Sequence, residues 1–209
     1  MPNKSSQDLH LSRRFTEAVD YARHLHIERR KGTEIPSMAH LLGVASLLMS
    51  EAGHVPFAVT EDMVIAAILH DAAEDHGGRL RLKDIEYSFG NSVAAMVEGL
   101  SDSLEEDSTN KAPWIERKRA YLQRLKEEPA QIQLISIADK IHNARAILED
   151  HRIVKSRIWK RFKRGKEDQL WYYDELLNIF KGSGLGRIVD EYERVIRALK
   201  KECAGAEAS

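Results

Sequence analysis

Apolar residues recur at helical spacing along most of this chain. Phe15, Val19, Ala22 and His26 mark one face of a helix predicted over residues 13–30, with Ser12 placed to cap it. Lys31 to Pro36 (KGTEIP) is a turn rich in helix breakers. Met38, Leu41, Leu42, Ala45, Leu48 and Met49 follow the 3.6-residue period over 37–52, and Gly53 sits where a C′ glycine ends a helix. Thr60-Glu61-Asp62-Met63 opens a central helix that carries on to Asp75. His76-Gly77-Gly78 then stops it, and helices are predicted over 82–90 and 92–101. Residues 102–113 read as a polar loop long enough to be mobile or functional. Helices follow over 114–127, 130–149, 159–180 with an interruption near Gly165, and 185–200. No stretch alternates convincingly with period two, so the fold class predicted is all-α. The organisation predicted is one domain over 13–200 with its core at about 15–180, a flexible start over 1–12 and a disordered tail over 201–209.

Composition narrows the function classes. A length of 209 residues suits a single domain, and 43% hydrophobic with 31% charged residues suits a soluble helical protein. A net charge of −1 gives no drive toward nonspecific nucleic-acid binding, so no nucleic-acid partner is expected. The single cysteine, Cys203, rules out an internal disulfide and is compatible with a reducing cytosol. The polar N-terminus lacks the apolar core of a signal peptide, and no apolar run is long enough to span a bilayer. The expected location is the cytoplasm, with no membrane partner.

The chemistry concentrates in residues 65–75, IAAILHDAAED, where an apolar body ends in His70, Asp71, Glu74 and Asp75. Three carboxylates this close repel one another, and a divalent cation is the simplest remedy. The bland alternative is a solvated acidic helix end. Asp139 lies on the apolar stripe with Ile132 and Ile135, where an unpaired carboxylate costs several kcal/mol; a core salt bridge would also satisfy it. His40 alone reads as a packed core histidine. Together, two imidazoles and two carboxylates form a mixed nitrogen and oxygen set that suits manganese, iron or zinc better than calcium. His70 and Asp71 point about 100° apart on a helix and can take adjacent positions on one ion. Such a metal lowers the pKa of water and clamps a phosphoryl group, while Glu74 and Asp75 can orient the water or accept its proton.

His40…His70-Asp71…Asp139 resembles the H…HD…D pattern of the HD superfamily of metal-dependent phosphohydrolases. Further segments resemble the hydrolase domain of RelA/SpoT proteins, and the stand-alone small alarmone hydrolases above all. These are Arg30-Lys31 before Pro36, LHDAAED, FG followed by VEGLSD, Glu116-Arg117-Lys118, and ADKIHNAR. The resemblance covers about 15–180 and implies an HD-domain helical bundle. It also implies hydrolysis of the 3′-pyrophosphate of guanosine tetra- and pentaphosphate, (p)ppGpp, usually with manganese, giving GDP or GTP and pyrophosphate. By position, His40, His70, Asp71 and Asp139 resemble the metal ligands, and Glu74 and Asp75 the pair that activates water. Arg30 and Lys31 resemble the basic pair flanking the nucleotide, and Asn143 and Arg145 further substrate contacts. Arg117 and Lys118, after the polar loop, could close over phosphates. The run of Lys160, Arg161, Lys163, Arg164 and Lys166 reads as a solvated face or a phosphate-gathering rim. Trp171-Tyr172-Tyr173 reads as core packing, and His142 as a residue supporting the site. The chain departs from the family where Pro36-Ser37-Met38-Ala39 precedes His40, in place of a tyrosine and a polar residue that serve base and ribose contacts. That departure keeps two alternatives open: a related phosphohydrolase acting on an adenosine alarmone or the 2′-phosphate of NADPH, and a non-catalytic alarmone-binding domain.

Overall fold

Helix α3 (Glu61–Leu69) is apolar on every side, and Met63 through Leu69 are all buried, so it forms the centre of the molecule. Burying each such large aliphatic side chain contributes about 1.5–3 kcal/mol. The computed structural model describes residues 8–205. Around α3 pack α1 (Arg13–Leu25), α2 (Ser37–Met49), α6 (Asn91–Leu100) and the long α8 (Ala130–Val154). The single turn α4 (Ala72–Asp75) follows α3, and α5 (Gly78–Phe89) pairs with α6. Beyond these, α7 (Trp114–Leu125) lies against α9 (Gly165–Lys181), and α10 (Arg187–Gly205) runs along α8. Short 3-10 turns occupy Ser108–Asn110 and Lys155–Arg161. The described residues contain no strand, only an isolated antiparallel bridge between Arg29 and Pro36, so the all-α class stands.

Two predicted N-caps form, while α2 ends at Met49, three residues before the predicted end beside Gly53. The Ser12 hydroxyl accepts from the Arg14 amide at 3.2 Å, and Thr60 accepts from the Met63 amide at 3.3 Å. Tertiary packing moves several boundaries. Helix α1 ends at Leu25, five residues before the predicted end. There the Arg30 amide bonds Ile35 O at 2.7 Å and the Ser37 amide bonds Glu28 O at 3.0 Å, so the turn takes a donor and an acceptor that a longer helix would have used. The predicted continuous helix to Asp75 breaks at His70-Asp71, although the Asp75 amide still reaches Asp71 O at 2.9 Å. Helix α5 starts at Gly78, four residues before the predicted start. Gly78 has φ +55°, and a Cβ there would lie 2.3 Å from Leu104 O, so only glycine lets the 102–113 segment approach this closely.

At the other end of the chain, α8 runs five residues past the predicted stop. Helix α10 reaches Gly205, and its apolar stripe continues to a buried Cys203, so 201–205 are ordered helix and not the predicted tail. Leu9 and Leu11 pack on the core within the predicted flexible start. The remainder of both predicted segments, 1–7 and 206–209, lies outside the described residues.

Candidate metal centre and adjoining cleft

Four elements deliver the ionisable cluster. His40 comes from the first turn of α2, His70 and Asp71 from the corner between α3 and α4, and Asp139 from the middle of α8. His70 and Asp71 keep right-handed helical backbone angles at this corner, and His70 Nε2 lies 3.2 Å from Asp71 Oδ2. His40 Nε2 lies 3.2 Å from His70 Nε2 and 3.2 Å from Asp139 Oδ1. The remaining cross distances, His40 to Asp71 and His70 to Asp139, are both 3.7 Å. Both histidines and Asp139 are buried.

The other ring nitrogens are already committed. His70 Nδ1 donates to Ala67 O at 2.8 Å. His40 Nδ1 sits 3.0 Å from His142 Nδ1. Burial, with the charge of His40 adding to it, pushes His142 down to about 4, so it stands neutral beside His40. Each imidazole therefore turns an Nε2 toward the other, with carboxylates on hand. Burial opposes the charged form of His70, but Asp71 and Asp139 outweigh it and raise its pKa; burial lowers that of His40. Burial likewise works against the carboxylates, yet His70 holds Asp71 low, and Lys140 with the two histidines holds Asp139 low. Two facing nitrogens can share one proton at most, whereas a divalent cation would satisfy both and both carboxylates. The donor chemistry fits such an ion, with second-sphere bonds that orient each ring.

Glu74 and Asp75 follow one turn on. Burial, then the charge of Asp102, pushes Glu74 up to about 7; burial, then Asp71, pushes Asp75 up to about 6. The Asp102 amide donates to Glu74 Oε2 at 3.0 Å, and Lys111 Nζ donates to Glu74 O at 2.7 Å. The 102–113 segment is thus tied to the α4 turn. Arg117 and Lys118 clamp the Asp102 carboxylate, Lys118 at 2.6 Å. Arg117 stands behind Glu74, 4.0 Å from Oε1, and does not line the cleft.

A cleft of about 440 Å³ opens beside the cluster. Arg30, Lys31, Lys118, Lys140, Asn143 and Arg161 line it together with His40, Trp114, Phe162, Tyr172 and Tyr173. Asn143 donates to Asp139 Oδ1 at 2.5 Å and accepts from Arg30. Arg145 is not brought here; it pairs with Glu191 on α10. Arg161 is the member of the basic run that lines the cleft, paired with Asp150. Tyr172 and Tyr173 are buried, as their reading as core requires, and still present edges to the cleft. A larger depression of about 750 Å³ beside α1 and Phe89 contains none of the cluster residues. Asp102 and Lys140 lie within the VEGLSD and ADKIHNAR segments without a role expected of them, and Lys111 lies in the polar loop. Asp102 and Lys111 act through contacts with distant elements, and Lys140 through its neighbour Asp139.

The His142 ring leans on α2 at Gly43, where an added Cβ would lie 2.3 Å from ring atoms. Gly43→Ala is expected to displace the ring from His40, cost about 1–3 kcal/mol of stability, and weaken metal affinity by about 10–100-fold. Metal titration and thermal unfolding of that variant check this.

Known proteins resemble this chain in sequence and in fold. The family model described as an HD domain matches residues 18–163. The guanosine-3′,5′-bis(diphosphate) 3′-pyrophosphohydrolase MESH1 of Mus musculus is 37% identical over 132 residues, covering 62% of this chain and 66% of its own. The enzyme of the same name from Homo sapiens is 36% identical with the same coverage. The match thus spans just under two thirds of these relatives' length. A solved structure described as a metazoan ortholog of SpoT that hydrolyzes ppGpp superposes with a TM-score of 0.71, covering 90% of this chain and 96% of its own. At 24% identity that likeness establishes the fold alone.

Proposed function

This chain belongs to the HD-domain family, and we propose that it is a manganese-dependent hydrolase of guanosine tetra- and pentaphosphate. It would cleave the bond between the 3′ oxygen and phosphorus, releasing pyrophosphate and GDP or GTP. The observation that carries this reading is the convergence of two Nε2 atoms and two carboxylates, with both Nδ1 atoms already engaged. The relatives named for this activity support the substrate class.

His40, His70, Asp71 and Asp139 would hold the cation. When bound, it supplies Lewis acidity toward a water molecule and a phosphoryl oxygen. Glu74, with a pKa lifted toward neutrality by burial, takes the proton of the attacking water, and Asp75 orients that water. Arg30, Lys31, Lys118 and Arg161 offset the charge of the phosphates in the cleft. Asn143 keeps Asp139 aligned and sits at the cleft wall for the ribose or phosphate. Trp114 and Phe162 supply flat surfaces for the base. Among the described residues no helix is long and apolar enough to cross a membrane, and a cytoplasmic site of action accompanies this reading.

The test is pyrophosphate release from guanosine tetraphosphate by metal-stripped protein, with and without added manganese. Release that requires manganese is the expected result. Absence of release with manganese bound, or faster turnover of an adenosine alarmone or of NADPH, overturns the guanosine assignment. Tight binding without turnover would make the chain a sensor.

A further inference from the structure

We propose a second cation site, built from His26, Glu28 and His76 and suited to zinc. The three residues come from different parts of the chain. His26 caps the end of α1, Glu28 lies in the segment leading to Arg30 and Lys31, and His76 follows Asp75 in the turn after α4. His26 Nδ1 lies 3.0 Å from Glu28 Oε1 and 3.2 Å from His76 Nε2, and His76 Nε2 lies 3.6 Å from Glu28 Oε2. A tetrahedral site with zinc bonds of about 2.0–2.1 Å has ligand-to-ligand edges of about 3.3 Å. The three contacts, with His26 and His76 meeting different oxygens of the Glu28 carboxylate, fall on either side of that value. Two imidazoles and one carboxylate are a recurrent zinc donor set with a position left open. Glu28 is exposed and His76 half-buried, so an ion has a path in from solvent.

One proton on His26 Nδ1 can serve Glu28 or His76, but not both. His26 is buried, and its Nε2 has no hydrogen-bond partner, so the ring's polar interactions all pass through Nδ1. The His76 carbonyl is anchored by Arg81 Nε at 3.0 Å, which places the ring opposite His26; the two rings meet edge to face at 4.5 Å. None of these three residues is a ligand in the cluster of His40, His70, Asp71 and Asp139. A cation here would pin the end of α1 and the loop carrying Arg30 and Lys31 to the turn that follows Asp75. The site does not depend on which nucleotide the cleft takes.

The experiment uses the full chain, stripped of metal and equilibrated with zinc, with bound zinc counted by elemental analysis and thermal unfolding followed in parallel. The expected count is two equivalents for the wild type and one for Glu28→Gln and for His76→Asn, with part of the zinc-induced rise in Tm lost in each. Glu28→Gln changes a single exposed side chain and keeps its shape, so its fold is not at risk even if His76→Asn fails to fold. A zinc count and a zinc-induced Tm rise that are the same in Glu28→Gln as in the wild type overturn the proposal. Guanosine tetraphosphate turnover is not part of the readout, so failure of the substrate assignment and failure of this site are separately visible.

Discussion

Asp71→Asn loses its metal and at least about 10³-fold in kcat/KM, equivalent to about 4 kcal/mol of transition-state stabilisation. Asp71 Oδ2 lies within 3.2 Å of His70 Nε2 and 3.7 Å of His40 Nε2, so it completes the donor set from the side that His70 faces. An amide keeps the shape but removes the negative charge that offsets a divalent cation. It also removes the main attraction that keeps His70 protonated against burial in the metal-free protein. The measurement is metal content after dialysis together with pyrophosphate release. Near-normal metal and full activity in this variant would remove the basis for placing the cation here.

Glu74→Gln separates chemistry from binding. It should retain metal and lower kcat by about 10²–10⁴-fold with little change in KM, the range for a lost general base. Wild-type activity should rise with pH along an acid limb. Burial sets Glu74 at about 7 in the metal-free protein, and a nearby cation opposes that effect, so the limb falls below 7. The variant should lack that limb.

The same substitution carries a stability signature. Glu74 has a folded pKa raised above its ordinary value of 4.5. Its contribution to stability is therefore present below pH 4.5 and lost as pH rises through about 7. At pH 8 the metal-free wild type carries an ionised Glu74 in surroundings that disfavour it, and the glutamine does not. Metal-free Glu74→Gln should be more stable by roughly 2–3 kcal/mol at pH 8, with the difference vanishing below pH 4.5. Unfolding of both chelator-treated proteins across this range checks it. Equal stability at pH 8 would mean that Glu74 is not held against its charge.

Much of the fold was legible because helices announce themselves locally. The 3.6-residue stripe of α2 and the caps at Ser12 and Thr60 lie within a few residues of what they control. The ends that slipped are those settled by distant partners. Helix α1 stops where the turn before Pro36 claims the backbone groups of Glu28 and Arg30, and α10 extends because Cys203 finds a buried place. The candidate site divides in the same way. His40 and Asp139 stand out as polar groups on apolar faces, and His70 and Asp71 as the ionisable end of an apolar stretch, a pattern visible without coordinates. Arg145 shares a helix with Asp139 but turns to Glu191, and Arg117 turns to Asp102.

By itself, the sequence determined the helical class, the polar groups committed to the interior, and the donor chemistry that calls for a cation. These follow from periodicity and from the cost of burying charge, which are properties of short stretches. Only the tertiary structure decided the meeting of His70 and Asp71 with His40 and Asp139, and the placing of His142 against His40. It alone set the Asp102 clamp behind Glu74 and brought His26 and Glu28 up to His76. Each depends on side chains from separate helices meeting within about 3–4 Å, the range where hydrogen bonds and ion pairs act. No spacing along one helix encodes those meetings.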